Sequence, residues 1–262
     1  MENEVTITYA ITVKDELEEL TKLLNFLQVQ IGVNDEILIQ YDTRHVSDEV
    51  LNYLKIVEKI HDNHKVIGFP FESNFADFKN NLKKHATKDY IFQLDADEIP
   101  HKFLVQNLSL VLASNPVDIV LVPRINTVDG LTIDHVRKWR WGISKLNTQV
   151  RARVIEDNGG EYRLLRENDL IISQKFNSFD DVDPNKKFVN VKFHTPIVNF
   201  PDYQARIYKV TDEIEWGNRV HETLTGYDTF SNFPAEESWC LYHHKDIKRQ
   251  EAQNHFYDKL VD

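Results

Sequence analysis

The chain has 262 residues, of which 41% are hydrophobic and 28% charged, an ordinary globular composition large enough for one α/β domain. Its 31 Lys and Arg residues against 42 Asp and Glu give a formal net charge of −11, which excludes a broad electrostatic surface for nucleic acid. A single cysteine, Cys240, excludes an internal disulfide framework. No apolar run reaches the roughly 18 residues of a membrane span, and no basic segment precedes the first apolar run. The sequence therefore predicts a cytoplasmic protein without a membrane span.

The first half of the chain alternates strand and helix patterns. Strands separated by helices of ten or more residues form βαβ units, whose parallel sheet is covered on both faces. The sequence therefore predicts an α/β fold. Strands are predicted at 5–13, 36–41, 65–71, 90–94 and 119–122, and helices at 15–30, 47–60, 75–86 and 101–114.

The pattern changes near residue 123. The segment 135–153 contains six Lys and Arg residues and no acid, with Trp139 and Trp141 inside it. This basic segment either holds a diphosphate or an anionic acceptor, with tryptophans that stack on a sugar ring, or is a solvated loop. Further strands are predicted at 188–193 and 203–210, and a helix at 247–260.

Acidic residues follow two of the predicted strands. Asp42 follows the second strand, and Asp95 and Asp97 follow the fourth. Ligands of open parallel sheets bind beyond the carboxyl ends of the strands. Two carboxylates this close repel each other, which favours Mg²⁺ or Mn²⁺ between them and a phosphate. The alternative is that Asp97 or Glu98 caps the helix that follows.

Longer segments carry a family resemblance. Residues 75–97 read FADFKNNLKKHATKDYIFQLDAD, which resembles without a gap the part of family 2 glycosyltransferases that ends in their Asp-x-Asp (DxD) motif. Residues 11–20 are similar to the opening loop of that family, and residues 36–42 to its second strand. Residues 204–224 resemble a segment of the branch that includes lipopolysaccharide-core and peptide glycosyltransferases. The resemblance implies a GT-A fold, with a Rossmann-like, mostly parallel central sheet flanked by helices.

The same resemblance implies an enzyme, a metal-dependent inverting glycosyltransferase. Its donor is expected to be a nucleotide-diphosphate sugar, with a UDP-sugar favoured, its acceptor a hydroxyl of a glycan or glycoconjugate, and its cofactor Mn²⁺ or Mg²⁺. One GT-A domain is expected over 1–262, in which 1–123 bind the nucleotide sugar and 124–262 form the smaller acceptor-binding and catalytic half. One alternative is a sugar nucleotidyltransferase on a related fold, which the lack of any glycine before Gly32 disfavours. The other is a non-catalytic carbohydrate-binding relative.

The resemblance also implies roles for residues of the first half. Asp97 matches the metal ligand of the family, and Asp95 a contact to the ribose or the metal. Thr12 and Asp42 match positions that line the nucleoside pocket. Lys79 stands where the family usually has arginine, near the base or the diphosphate, and keeps the charge without the bidentate fork.

Two further roles fall late in the chain. His243 matches a histidine that often completes the metal or diphosphate site, with His244 as the neighbouring alternative; either can instead be a hydrogen-bonded histidine at a strand end. Glu222 matches the acid that takes the proton of the acceptor hydroxyl, a general-base role. Asp202 and Asp228 are the alternatives for that proton.

Overall fold

A computed structural model describes residues 5–156, 162–166, 171–176 and 188–261. The chain divides into two compact units, one formed by Met1–Gly142 with Val198–Asp262 and the other by Ile143–Ile197. The first unit contains every predicted site residue. The assignment of donor binding to 1–123 and of acceptor binding to 124–262 stays a prediction.

Strands and helices alternate along the first 114 residues. They are β1 (Ile7–Val13), α1 (Leu17–Gln30), β2 (Glu36–Asp42), α2 (Asp48–Ile60), β3 (His64–Phe69), α3 (Phe75–Lys83), β4 (Tyr90–Asp95), β5 (Glu98–Pro100) and α4 (Lys102–Ser114). Strands dominate the rest: β6 (Ile119–Asp129), α5 (Ile133–Trp139), β7 (Ile143–Glu156), β8 (Tyr162–Arg166), β9 (Ile171–Phe176), β10 (Phe188–Lys209), β11 (Glu215–Gly217), β12 (Thr223–Thr225), β13 (Phe230–Asn232), β14 (Leu241–Asp246) and α6 (Ile247–Val261).

The central sheet of the first unit has the strand order β3-β2-β1-β4-β10-β6-β14-β5. Strands β3, β2, β1 and β4 are parallel to one another, as the βαβ pattern predicts. Strand β10 runs antiparallel between β4 and β6, and β14 lies parallel to β6 on its other side. This mixed, mostly parallel sheet flanked by helices is a GT-A fold. In the second unit, β7, β8 and β9 form antiparallel pairs.

Apolar side chains cover both faces of the sheet. Tyr9 and Ile11 of β1 belong to one core cluster, together with the buried leucines of α1, whereas Ala10 between them belongs to a second cluster. This follows from the two-residue alternation of side chains along a strand. Both faces are therefore buried, which explains why β1 reads as a continuous apolar run.

The three largest differences from the sequence-based boundaries are in β6, β10 and α3. Strand β6 continues to Asp129 rather than ending at Val122, because pairing with both β10 and β14 carries it past Pro123. The two strand segments predicted around 188–193 and 203–210 are parts of the single strand β10. Helix α3 ends at Lys83, three residues earlier than predicted.

Candidate active site

A cleft of about 1030 Å³ opens at the carboxyl ends of β1, β2 and β4. This is the edge at which parallel α/β sheets bind ligands. All seven predicted site residues line it: Thr12, Asp42, Lys79, Asp95, Asp97, Glu222 and His243.

Asp95 is the last residue of β4, and both oxygens of its carboxylate accept hydrogen bonds. Its Oδ1 accepts from the Thr12 hydroxyl at 2.9 Å, which follows from the register that pairs Thr12 with Asp95. Its Oδ2 accepts from Nη2 of Arg206 at 2.7 Å. Burial by itself would raise the pKa of Asp95, but the charges of Arg206 and Lys79 outweigh it and hold that pKa well below its usual range. The carboxylate is therefore ionised, and both of its oxygens have protein partners.

Glu98, three residues after Asp95, is fully buried. It accepts hydrogen bonds from Arg206 at 2.5 Å and Arg124 at 2.9 Å through the same oxygen. A buried charge is tolerated only when paired, and two guanidinium groups provide the pairing. The alternative reading of Glu98 as a helix cap is wrong, because α4 begins four residues later and is capped by the ring of His101.

Asp97 and His243 face each other across the cleft. The Nε2 atom of His243 lies 3.5 Å from Oδ2 of Asp97, and both side chains are nearly buried. Burial raises the pKa of Asp97, but the contact with His243 outweighs it and leaves that pKa below its ordinary value. Arg249 of α6 lies 3.6 Å from the same carboxylate oxygen and is bound by Glu16 at 2.8 Å.

A metal ion at this point would have only two protein ligands. Within the described residues, no three His, Cys, Asp or Glu side chains are grouped so as to hold a metal. A carboxylate and an imidazole nitrogen 3.5 Å apart nevertheless fit a divalent cation that takes its remaining ligands from water and phosphate oxygens. Asp97 and His243 therefore fit a cation that binds together with a diphosphate.

Asp42 is held by the loop that follows it and by the loop that follows β3. Its Oδ1 accepts from the backbone N–H groups of Arg44 and Phe71, both at 3.0 Å, and its Oδ2 contacts Nδ1 of His45 at 2.6 Å. These hydrogen bonds outweigh burial and lower the pKa of Asp42. Asp42 thus shapes the cleft wall, and His45 presents its ring to the cleft from this support.

Lys79 and Glu222 form an ion pair on the opposite wall. Strand β11 docks on α3 and so brings Glu222, in the segment that follows β11, to this wall. Asn80 exchanges two hydrogen bonds with the backbone of Trp216, at 2.8 and 2.9 Å, and the Lys79 ammonium lies 4.4 Å from the Trp216 ring centroid. His221, just before Glu222, has a backbone φ of 54°, a left-handed conformation that residues other than glycine rarely adopt.

The structure separates the alternatives that the sequence leaves open. His244 is 61% exposed and contacts Asp129 at 3.2 Å, outside the cleft that His243 lines. Asp228 is exposed and does not line the cleft, and its backbone N–H binds Asp118. Asp202 lines the cleft, but Arg124 holds its carboxylate at 2.7 Å.

The basic segment 135–153 is not one loop. Its first part forms α5 and its last part belongs to β7. Trp141 lines the cleft, with its ring 4.7 Å from that of Trp139. The side chains of Lys145, Arg151 and Arg153 lie outside the described part of the chain, so the role of this segment stays a prediction.

Sequence reasoning gave no role to four residues that surround the carboxylates. Arg206 lies in the segment 204–224, and its signal is a charged residue inside a strand of buried apolar residues, which requires a charged partner. Arg124 and Asn126 lie beyond the predicted end of β6. Arg249 belongs to α6, a helix that the sequence predicts at 247–260 but whose place beside the cleft the sequence does not predict.

Comparison with known proteins agrees with this geometry. Residues 8–171 match the family described as Glycosyl transferase family 2. The chain belongs to this family. The family's branch that contains lipopolysaccharide-core and peptide glycosyltransferases stays a prediction. No curated protein sequence matches the chain significantly.

Solved structures with a similar fold include TarS from S. aureus. TarS 1–349 has a TM-score of 0.51 at 14% identity, over 92% of this chain and 60% of that one. The same TarS segment in complex with UDP-GlcNAc has a TM-score of 0.52 at 14% identity, over 92% and 58%. A mannosyltransferase from Pyrobaculum calidifontis, solved with GDP-Man and Mn²⁺, has a TM-score of only 0.39 at 16% identity, over 46% and 35%.

The chain spans about three fifths of the length of these TarS structures. The two TarS matches support the fold, whereas the third is too partial to support an argument. Among the helices that the structure describes, none is both long enough and apolar enough to cross a bilayer.

Proposed function

We propose that the protein transfers a sugar from a nucleotide-diphosphate sugar to an acceptor hydroxyl, with inversion at the anomeric carbon. The observation that carries this proposal is the meeting of three groups in one cleft of a family 2 glycosyltransferase. Asp97 and His243 face each other 3.5 Å apart, and Glu222 lines the same cleft beside Lys79. One pair is suited to the donor diphosphate, and the other carboxylate to the acceptor.

The metal is part of this proposal. Asp97 and His243 would hold Mn²⁺ or Mg²⁺, and the ion would neutralise the negative charge of the departing diphosphate. One imidazole ligand favours Mn²⁺, because Mg²⁺ prefers oxygen ligands and retains its water. Both oxygens of Asp95 already have protein partners, so we assign Asp95 mainly to positioning Thr12 and Arg206 beside the donor.

Glu222 would act on the acceptor. As the acceptor oxygen forms its bond to the anomeric carbon, the bond from that carbon to the diphosphate oxygen breaks, and the hydroxyl proton passes to the Glu222 carboxylate. The nucleoside diphosphate leaves with the bonding electrons. Lys79 contacts Oε1 of Glu222, so we assign the proton to Oε2.

The donor and acceptor follow from the chemistry of the cleft. Basic side chains line it near the carboxylates, among them Lys79, Lys245 and Arg249, and suit the two phosphates of a nucleotide sugar. TarS, whose fold is similar, has been solved with UDP-GlcNAc, which supports a UDP-sugar as the first donor to test. A glycan or glycoconjugate hydroxyl is the proposed acceptor.

The test is release of nucleoside diphosphate from a panel of nucleotide sugars, with and without Mn²⁺. Wild type should hydrolyse at least one donor slowly without an acceptor, and EDTA should stop it. Asp97→Asn should abolish this release, whereas Asp129→Asn, a matched change at an exposed carboxylate outside the cleft, should not. Turnover that survives EDTA would contradict the role of the metal. Absence of both binding and turnover for every nucleotide sugar in the panel would contradict the function.

A further inference from the structure

A row of polar side chains crosses three neighbouring strands and ends at His243. Strands β10, β6 and β14 are adjacent in the sheet, and the register of β6 with β14 places Asn126 directly beside His243. Asp202 of β10 reaches Asn126 from the other side. The order across the sheet is therefore carboxylate, amide, imidazole.

The carboxylate determines how the amide is oriented. Oδ2 of Asp202 lies 2.8 Å from Nδ2 of Asn126. Arg124 donates to this same oxygen through Nε at 2.9 Å and Nη2 at 2.7 Å. These contacts outweigh burial and lower the pKa of Asp202, so the group is an ionised acceptor with no proton to donate. Asn126 must therefore turn its NH₂ group towards Asp202 and its oxygen towards His243.

The amide oxygen in turn determines the tautomer of the imidazole. Oδ1 of Asn126 lies 2.7 Å from Nδ1 of His243. Because this oxygen only accepts, Nδ1 must carry a hydrogen. In the neutral ring the lone pair is then on Nε2, the nitrogen that faces Asp97 at 3.5 Å. The opposite tautomer would set two acceptors against each other at Nδ1, 2.7 Å apart, whereas the Nδ1–H tautomer sets the Nε2 lone pair against the Asp97 carboxylate across 3.5 Å, the gap that a cation would occupy.

We propose that Asn126 is a positioning residue that holds His243 as the Nδ1–H tautomer, so that Nε2 is presented as a ligand beside Asp97. The proposal rests on the proposed metal-dependent function. Metal-binding histidines generally donate their second ring N–H to a neighbouring oxygen, which fixes the ring orientation. Asp202 is the anchor of this arrangement rather than a base, and Gln204 holds its other oxygen at 2.7 Å.

The first experiment reads the tautomer in the unaltered protein. Long-range ¹H–¹⁵N NMR of the metal-free protein, at an alkaline pH where the ring is neutral, should show His243 protonated at Nδ1. Asn126→Ala should shift it to a mixture of tautomers. A wild-type ring protonated at Nε2 would overturn the proposal without any substitution being made.

The second experiment measures the affinity of Mn²⁺ in the presence of saturating UDP, by electron paramagnetic resonance of the free ion. Asn126→Ala should weaken binding about 10- to 100-fold, as loss of such a supporting group typically does. The paired change Asn126→Asp with Asp202→Asn keeps an acceptor for Nδ1–H and a donor amide beside that acceptor, and should recover most of the affinity. Asn107→Ala, a matched change in α4 at a residue that does not line the cleft, removes a hydrogen bond to the backbone of Phe103 and should change the affinity less than about twofold.

The variant His243→Ala distinguishes a failure of the proposed metal site from a failure of the proposed role of Asn126. If His243→Ala leaves Mn²⁺ affinity unchanged, the proposed metal site is wrong. If His243→Ala weakens binding but Asn126→Ala does not, the metal site stands and the role of Asn126 is wrong. Equal losses in Asn126→Ala, in the paired Asn126→Asp and Asp202→Asn variant and in Asn107→Ala would mean that the substitutions act only through folding, which would also overturn the proposal.

Discussion

The side chains of Lys79 and Glu222, 143 positions apart in the sequence, form an ion pair on the wall of the cleft. The lysine side chain is 8% exposed and the glutamate side chain 18%. The pair joins α3, which leads towards the Asp95 strand, to the segment that carries the proposed base. Lys79 also acts on Asp95, whose pKa it helps to lower. A single cation therefore acts on both the Asp95 carboxylate and the proposed base.

Glu222→Gln tests the general base. The amide keeps the size and hydrogen bonding of the side chain but cannot take a proton. General-base catalysis typically contributes about 10² to 10⁴ in rate. Sugar transfer at saturating donor should fall by that factor, while donor affinity in a thermal-shift titration stays within a few-fold. Near-wild-type transfer would show that another group accepts the proton.

A double-mutant cycle tests whether the Lys79–Glu222 pair is energetically coupled. Loss of one member leaves the other charge in a largely buried site, whereas loss of both does not. The free energies of unfolding of Lys79→Met, Glu222→Gln and the double variant should therefore give a coupling of about 1–3 kcal/mol in urea titrations. Effects that add to within about 0.5 kcal/mol would indicate that the ion pair does not stabilise the fold.

The neighbouring histidines of β14 provide a matched comparison. His243→Ala should weaken Mn²⁺-dependent binding of UDP at least about tenfold, because it removes one of two proposed protein ligands. His244→Ala should leave it unchanged, because His244 lies outside the cleft and contacts Thr127 and Asp129. Calorimetric titration of both variants with UDP, with and without Mn²⁺, makes the measurement. A loss confined to His244→Ala would reverse the assignment.

His64 should make the stability of the fold depend on pH. Burial, with a smaller effect of the neighbouring His61, lowers its pKa to about 4. The unfolded chain binds this proton near pH 6.5, so between pH 6.5 and 4 the unfolded state holds more protons and acid destabilises the fold. Between pH 6.5 and 4, the free energy of unfolding of His64→Gln should fall by about 2–3 kcal/mol less than that of wild type. Parallel stability curves for the two proteins would contradict a buried, neutral His64.

The sequence by itself determined the α/β architecture and the location of the cleft. Apolar strands separated by amphipathic helices can bury both strand faces only in a parallel sheet with helices on each side, and such a sheet has its binding edge at the carboxyl ends of its strands. Asp42, Asp95 and Asp97 follow strand ends and so lie at that edge. The family resemblance added Glu222 and His243, which line the same cleft.

Only the tertiary structure decided which groups pair. The sequence indicates a cation beside Asp95 and Asp97, but it does not indicate that Arg206 reaches Asp95 and Glu98 from an antiparallel strand that inserts between β4 and β6. Likewise, Asn126 meets His243 because β14 lies beside β6 in one particular register. Strand order and register depend on packing between segments more than a hundred residues apart. Local periodicity carries no information about such partners, so the charge pairs of the site, and the tautomer of His243, follow from the folded chain alone.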